Sequence, residues 1–150
     1  MATMTATSAR PTDTSSRTIL RSSSDDRMLR GVLATNAATS TLGGLVALLA
    51  SSWLDEELLH TGQSGWVRVV GAGLVAFGVA VALVSRSVTD DLPVRALAVS
   101  VADAGWVVVT IATILAGWYS TSGAVLVAAV GAMVAVFGVE QAVLAHRLQQ

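Results

Sequence analysis

The chain has 150 residues, of which 53% are apolar and only 13% charged, about half the charged share of an ordinary water-soluble domain. A formal net charge of −1 and scattered basic residues leave no electrostatic footprint for nucleic acid, so no nucleic-acid partner is expected. Cysteine is absent, which excludes disulfides, thiolate nucleophiles and thiolate metal sites together. All nine basic residues are arginine, a usage expected of a GC-rich bacterial genome.

Residues 1–27 are rich in Ser, Thr, Asp and Arg, include Pro11, and hold almost nothing to bury, so they read as a disordered cytoplasmic tail. A targeting peptide is the competing reading, but Asp13, Asp25 and Asp26 argue against an acid-poor targeting helix. The remaining chain, 28–147, reads as one all-α domain of four transmembrane helices, with spans at about 30–52, 65–86, 93–118 and 123–146. From Gly31 to Leu54 no residue is charged, and about 20 apolar residues suffice to cross a hydrocarbon core of ~30 Å. This first run is too long, and the polar region before it too large, for a secretory signal. The connector Ser51 to Ser64 interleaves Trp53, Leu54, Leu58 and Leu59 with Asp55, Glu56 and Glu57, which suits a short helix in the membrane interface. Pro93 falls in the first turn of the third span, where a helix tolerates it. Tyr119 to Ser122 makes a bare turn before the fourth.

Arginine placement predicts orientation. Arg10, Arg17, Arg21, Arg27, Arg30, Arg86, Arg95 and Arg147 fall on one side of the spans and Arg68 alone on the other, so both termini are expected in the cytoplasm of a cell (inner) membrane. Trp53, Trp66, Trp118 and Tyr119 gather at the opposite helix ends, where amphipathic rings prefer the headgroup level.

Laid over Val130 to Ala142, the segment Val70 to Ala82 matches at seven of thirteen positions: Val70, Gly71, Ala72, Phe77, Gly78, Val79 and Ala82. The match suggests a duplicated helical hairpin, and one register of the weaker match between the first and third spans sets Asn36 opposite Asp103. Two helices per unit preserve orientation, so the two hairpins would be parallel repeats. In this organisation the stretch Leu29 to Arg147 resembles small, uncharacterised four-helix bacterial membrane proteins built from two hairpins, a resemblance that implies a membrane four-helix bundle and no activity. Families with a Ser-Pro-Trp motif after the first helix of each two-helix unit are not matched, because Ser51-Ser52-Trp53 and Ala116-Gly117-Trp118 lack the proline.

Small residues are expected to hold the helices together, since lipid tails compete equally for apolar side chains. The candidates are Ala72, Ala76 and Ala80 in the second span, and Ala128 with Ala132, Gly131 with Ala135, and Gly138 with Ala142 in the fourth. Asn36, Ser40 and Gly44 form one stripe on the first. Either an intramolecular bundle or a homo-oligomer seam would use them.

Asp103 and Glu140 carry the chemical interest, because an ionisable group in hydrocarbon costs ~2.5–3.5 kcal/mol even on the most lenient insertion scale and needs a partner. The candidate cluster is Asn36, Asp103 and Glu140, with Ser100 and Gln141 as accessory ligands and Arg30 or Arg95 reaching Glu140 by snorkelling. Such a cluster serves either as a proton-titrating or cation-binding site, or simply as hydrogen bonds that lock helix contacts. Enzyme chemistry has no motif behind it. Haem ligation would need imidazoles within the spans, whereas His60 and His146 lie outside or at an end. Asp90 and Asp91, between Thr89 and Pro93, read as solvated helix-start residues. Small multidrug exporters place an essential glutamate in the first helix, where this chain has Asn36. The expectation is thus a cofactor-free, non-enzymatic membrane protein whose partners are the lipid bilayer and a homo-oligomer or larger membrane complex. A small proton-coupled carrier using Asp103 and Glu140 is the alternative.

Overall fold

The computed structural model describes residues 14–87 and 91–150, with side chains from Ser24 onward. The described chain is helical throughout: α1 Thr14–Leu49, a short α2 Ser51–Trp53 that runs into a π-helical turn Leu54–Leu59, α3 Ser64–Arg86, α4 Leu92–Leu115 and α5 Thr121–Leu148. Four segments among the described residues are long and apolar enough to cross a membrane: Ser24–Leu49, Ser64–Arg86, Leu92–Leu115 and Thr121–Leu148. The outer surface carries large exposed apolar side chains such as Leu42, Leu83, Val108 and Val139, as expected where lipid is the solvent. The chain is a multi-pass membrane protein.

The tail expected over 1–27 divides in two. Residues 1–13 lie outside the described residues, whereas 14–27 continue α1. No glycine or proline interrupts the stretch from Thr14 to Arg30, so a helix nucleated by the span elongates at the cost of one residue fixed per hydrogen bond gained. An ion pair one turn apart, Arg30 Nε to Asp26 Oδ2 at 2.9 Å, supports the extension.

Helix ends are set by local chemistry. Gly117 takes a positive φ of 70°, and the N–H groups of Gly117 and Trp118 donate to the Ile114 and Thr113 carbonyls. This left-handed glycine closes α4 three residues before the expected boundary at Trp118. Ser120 caps α5 by accepting from the Gly123 N–H at 3.1 Å. The Arg30 guanidinium donates to the Ser85 and Ser87 carbonyls at 3.0 and 2.6 Å, placing a cation on the C-terminus of α3. After a break at Ala50, α2 and the π turn end at left-handed His60, and Asp55 Oδ1 accepts from the N–H and hydroxyl of Thr61 at 2.8 and 2.6 Å. Those bonds hold the Asp55 carboxyl below its ordinary value, the Thr61 hydroxyl contributing most.

Two hairpins result. Helix α1 packs along α3, α4 packs along α5, and α1 joins the hairpins by lying against α5, whereas α3 and α4 touch at few points. In each hairpin the glycines of the second helix admit the first. Gly71 and Gly78 face α1, and Gly131 and Gly138, their counterparts in the sequence match, face α4. Ala72, Ala76 and Ala80 are exposed to the outside, and so are Ala128 and Ala132, so those expected stripes do not form the intramolecular seams. The one apolar cluster that draws on all four spans, with Leu29, Leu33, Val81, Leu92, Ala96 and Leu144, sits at the arginine-rich end. At the tryptophan-rich end the hairpins are tied by the Ser120 hydroxyl, which donates to the Leu58 carbonyl, and by the Ser120 N–H on the Leu59 carbonyl at 3.0 Å.

Candidate functional site

Within the spans, where α1, α4 and α5 meet, lie four buried polar side chains. Asn36 comes from α1 beside the small residue Ala37; Ser100 and Asp103 are one turn apart on α4, and Gln141 follows Gly138 by one turn on α5. The close approach at Gly138 is what brings them together: a Cβ there would lie 3.3 Å from the Asp103 Cβ and 3.7 Å from the Ser100 carbonyl oxygen.

Asn36 Nδ2 donates to Asp103 Oδ2 at 2.9 Å, and both residues are almost wholly buried, at 1% and 2% exposure. Ser40 extends the chain by donating to Asn36 Oδ1 at 3.2 Å. Ser100 turns the other way, its hydroxyl donating to the Gly138 carbonyl at 2.7 Å. The Gln141 amide lies within reach of the Asp103 carboxyl, yet neither of its polar atoms has a hydrogen-bond partner among the described residues. With 0% exposure, Gln141 is therefore an unsatisfied buried amide, an arrangement that costs ~1–3 kcal/mol unless a water or a proton-bearing group completes it.

Of the residues expected here, Asn36 and Asp103 are brought into direct contact, with Ser100 and Gln141 beside them. Glu140 is not. It is exposed on the outward face of α5, because a step of one residue turns a helix by ~100° and Gly138 and Gln141 already occupy the inward stripe. Nor does Arg30 reach the cluster, since its guanidinium is held at Asp26 and the end of α3. Arg95 is exposed and borders a cavity between α3 and α4. Sequence reasoning missed Trp106 and Phe77, which wall a cavity of about 290 Å³ that reaches Asp103 and Ser40 from the α3–α4 side. No spacing rule signals that pairing, because it depends on α3 and α4 standing apart.

Among the described residues, no group of three or more His, Asp or Glu side chains is close enough to hold a metal ion. What the arrangement offers chemically is one carboxyl bonded to the Asn36 amide across two helices, with the unpaired Gln141 amide of a third beside it, bordering a largely apolar cavity. Fold and site together define a membrane bundle of two hairpins bridged by a buried Asn–Asp hydrogen bond. Comparison with family models, with curated proteins and with solved structures returns no match to this chain.

Proposed function

We propose that this protein is a non-enzymatic component of a bacterial cell membrane that acts through helix contacts, either self-associating or serving as an accessory subunit of a larger membrane complex. One observation carries the reading: the two buried polar bonds within the described spans run from helix to helix, Asn36 to Asp103 and Ser100 to the Gly138 carbonyl, as locking contacts do. The equivalent glycine pairs, Gly71 with Gly131 and Gly78 with Gly138, support an origin by duplication of one hairpin. The arginine bias supports a cytoplasmic position for both termini. Affinity purification of the full chain from native membranes in mild detergent tests the proposal. A second copy or one stoichiometric partner is the expected result, and a strictly monomeric, partner-free protein would sink it. Reporter fusions after Ser87 and after Gln150 test the orientation, which a periplasmic signal at either site would reverse.

A second reading, a small proton-coupled carrier, draws support from Asp103 bordering the cavity. It now rests on Asp103 without Glu140. Reconstituted Asp103→Asn protein separates the two readings, because an amide preserves a structural contact but releases no proton. Proton-coupled flux in the wild type that disappears in the variant supports the carrier, and flux unchanged by the substitution removes it.

A further inference from the structure

Helices α3 and α4 touch at few points, and space opens between them. Nearer the arginine-rich end a cavity of about 390 Å³ lies between Phe77 and Val84 of α3 and Arg95 and Ala102 of α4. Deeper in, the cavity that reaches Asp103 continues to Val70 and Trp106. Phe77 and Ala102 border both, so the two are stretches of one groove. From Arg95 to Trp106 the groove runs eleven residues along α4, ~17 Å at 1.5 Å per residue. That depth matches one leaflet, half of a hydrocarbon core of ~30 Å.

Size and chemistry select the occupant. A groove ~17 Å long suits an acyl chain reaching from the headgroup level into one leaflet. Water is disfavoured over most of its length, since Phe77, Leu74, Ala80 and Ala102 give it nothing to bond. An empty slot would leave its lining without dispersion contacts on one side. At the mouth stands Arg95, exposed and without a carboxylate partner among the described residues, in contrast to Arg30. We propose that the α3–α4 groove binds an anionic phospholipid, its phosphate on Arg95 and one acyl chain laid between Phe77, Ala102 and Trp106. The bound chain fills the space beside Asp103.

The test uses the full chain in phosphatidylcholine nanodiscs doped either with phosphatidylglycerol carrying a photoactivatable acyl chain or with phosphatidylcholine carrying the same chain. Adducts mapped by mass spectrometry are expected to concentrate on Phe77, Ala98, Ala102 and Trp106, with phosphatidylglycerol labelling in excess. Arg95→Gln is expected to lower that excess about fivefold, the factor corresponding to ~1 kcal/mol per arginine near an anionic lipid surface. Ala102→Phe puts a ring into the groove and is expected to lower labelling by both lipids several-fold, with circular dichroism confirming a folded helical protein. Adducts spread equally over outward residues such as Leu42 and Val139 would overturn the proposal, as would an excess indifferent to Arg95→Gln. Peptide cross-links joining two copies through a photoreactive residue at position 102 would assign the groove to self-association instead and so overturn it as well.

Discussion

The two hairpins are built on the same plan and held by different means. Between α1 and α3 the contact is backbone against backbone: a Cβ on Gly71 would meet the Gly44 carbonyl oxygen at 2.8 Å and the Leu48 nitrogen at 2.9 Å. One on Gly78 would meet the Thr41 hydroxyl first, and behind it the Ala37 carbonyl oxygen at 2.8 Å and the Thr41 nitrogen at 2.9 Å. Between α4 and α5 the glycines face side chains, Gly131 the Thr110 methyl at 2.8 Å and Gly138 the Asp103 Cβ at 3.3 Å, and polar groups share the seam. The α1–α3 seam carries its hydrogen bonds at one end, from Arg30 to the Ser85 and Ser87 carbonyls, while the α4–α5 seam has one within the spans, from Ser100 to the Gly138 carbonyl, and such bonds in membranes average only ~0.6 kcal/mol each. The first seam is thus intolerant of added volume, and the second sensitive to polarity.

The contrast is broken or sharpened by substitution. The largest effect is expected from Gly71→Ala or Gly78→Ala, where rigid backbone blocks the new methyl, with a loss of about 1–3 kcal/mol of the kind overpacking produces, read by reversible unfolding in mixed micelles. Gly131→Ala is expected to cost less, because a threonine side chain shifts more readily than a helix backbone, and Gly138→Ala least of the four. Equal losses at Gly71 and Gly138 would remove the distinction between the seams. Asp103→Ala is expected to lose between ~0.6 and ~1.7 kcal/mol, the range measured for interhelical hydrogen bonds in membranes, and Asp103→Asn less. In a double-mutant cycle with Asn36→Ala the coupling energy should account for most of that loss, since the bond is direct.

Smaller still is the contribution of the turn between α1 and α3. Because Asp55 titrates below its ordinary value in the folded protein, it favours folding above the carboxylate range, and that contribution is lost as pH falls through the folded value. Thr61→Val should raise the Asp55 pKa toward 3.8, observable by NMR titration, and remove this part of the acid sensitivity. Glu140→Gln is expected to leave bundle stability unchanged, since Glu140 faces outward. A loss as large as that of Asp103→Ala would mean that Glu140 bonds to a neighbouring chain.

How much was legible follows from what each signal measures. The spans, the proline start of α4, the contact of Asn36 with Asp103 and the gathering of the tryptophans at one end were all readable, because each depends on hydropathy, local backbone chemistry or the sequence match. Facing was not. In a soluble protein a polar outer face marks the inward stripe, but here both faces are apolar and the usual contrast disappears. Glu140 and Gln141 are neighbours of similar size, and polarity alone made the charged one the better candidate. A clue was available in Gly131, Gly138 and Ala145, seven residues apart and hence on one face, which carries Gln141 inward and Glu140 outward. The alanine series 72, 76 and 80 misled for the related reason that a small residue suits lipid contact as well as helix contact.

From the sequence alone it follows that this chain carries four helices long and apolar enough to cross a membrane and an all-α fold. Those properties follow from hydrophobic transfer and backbone hydrogen bonding, which act locally along the chain. It took the tertiary structure to show that Gln141 faces inward and Glu140 outward, that α3 and α4 stand apart, and that the resulting groove runs from Arg95 to the carboxyl at Asp103. These depend on helix rotation about the axis and on the closeness of approach at individual glycines, quantities that packing in three dimensions sets and hydropathy does not.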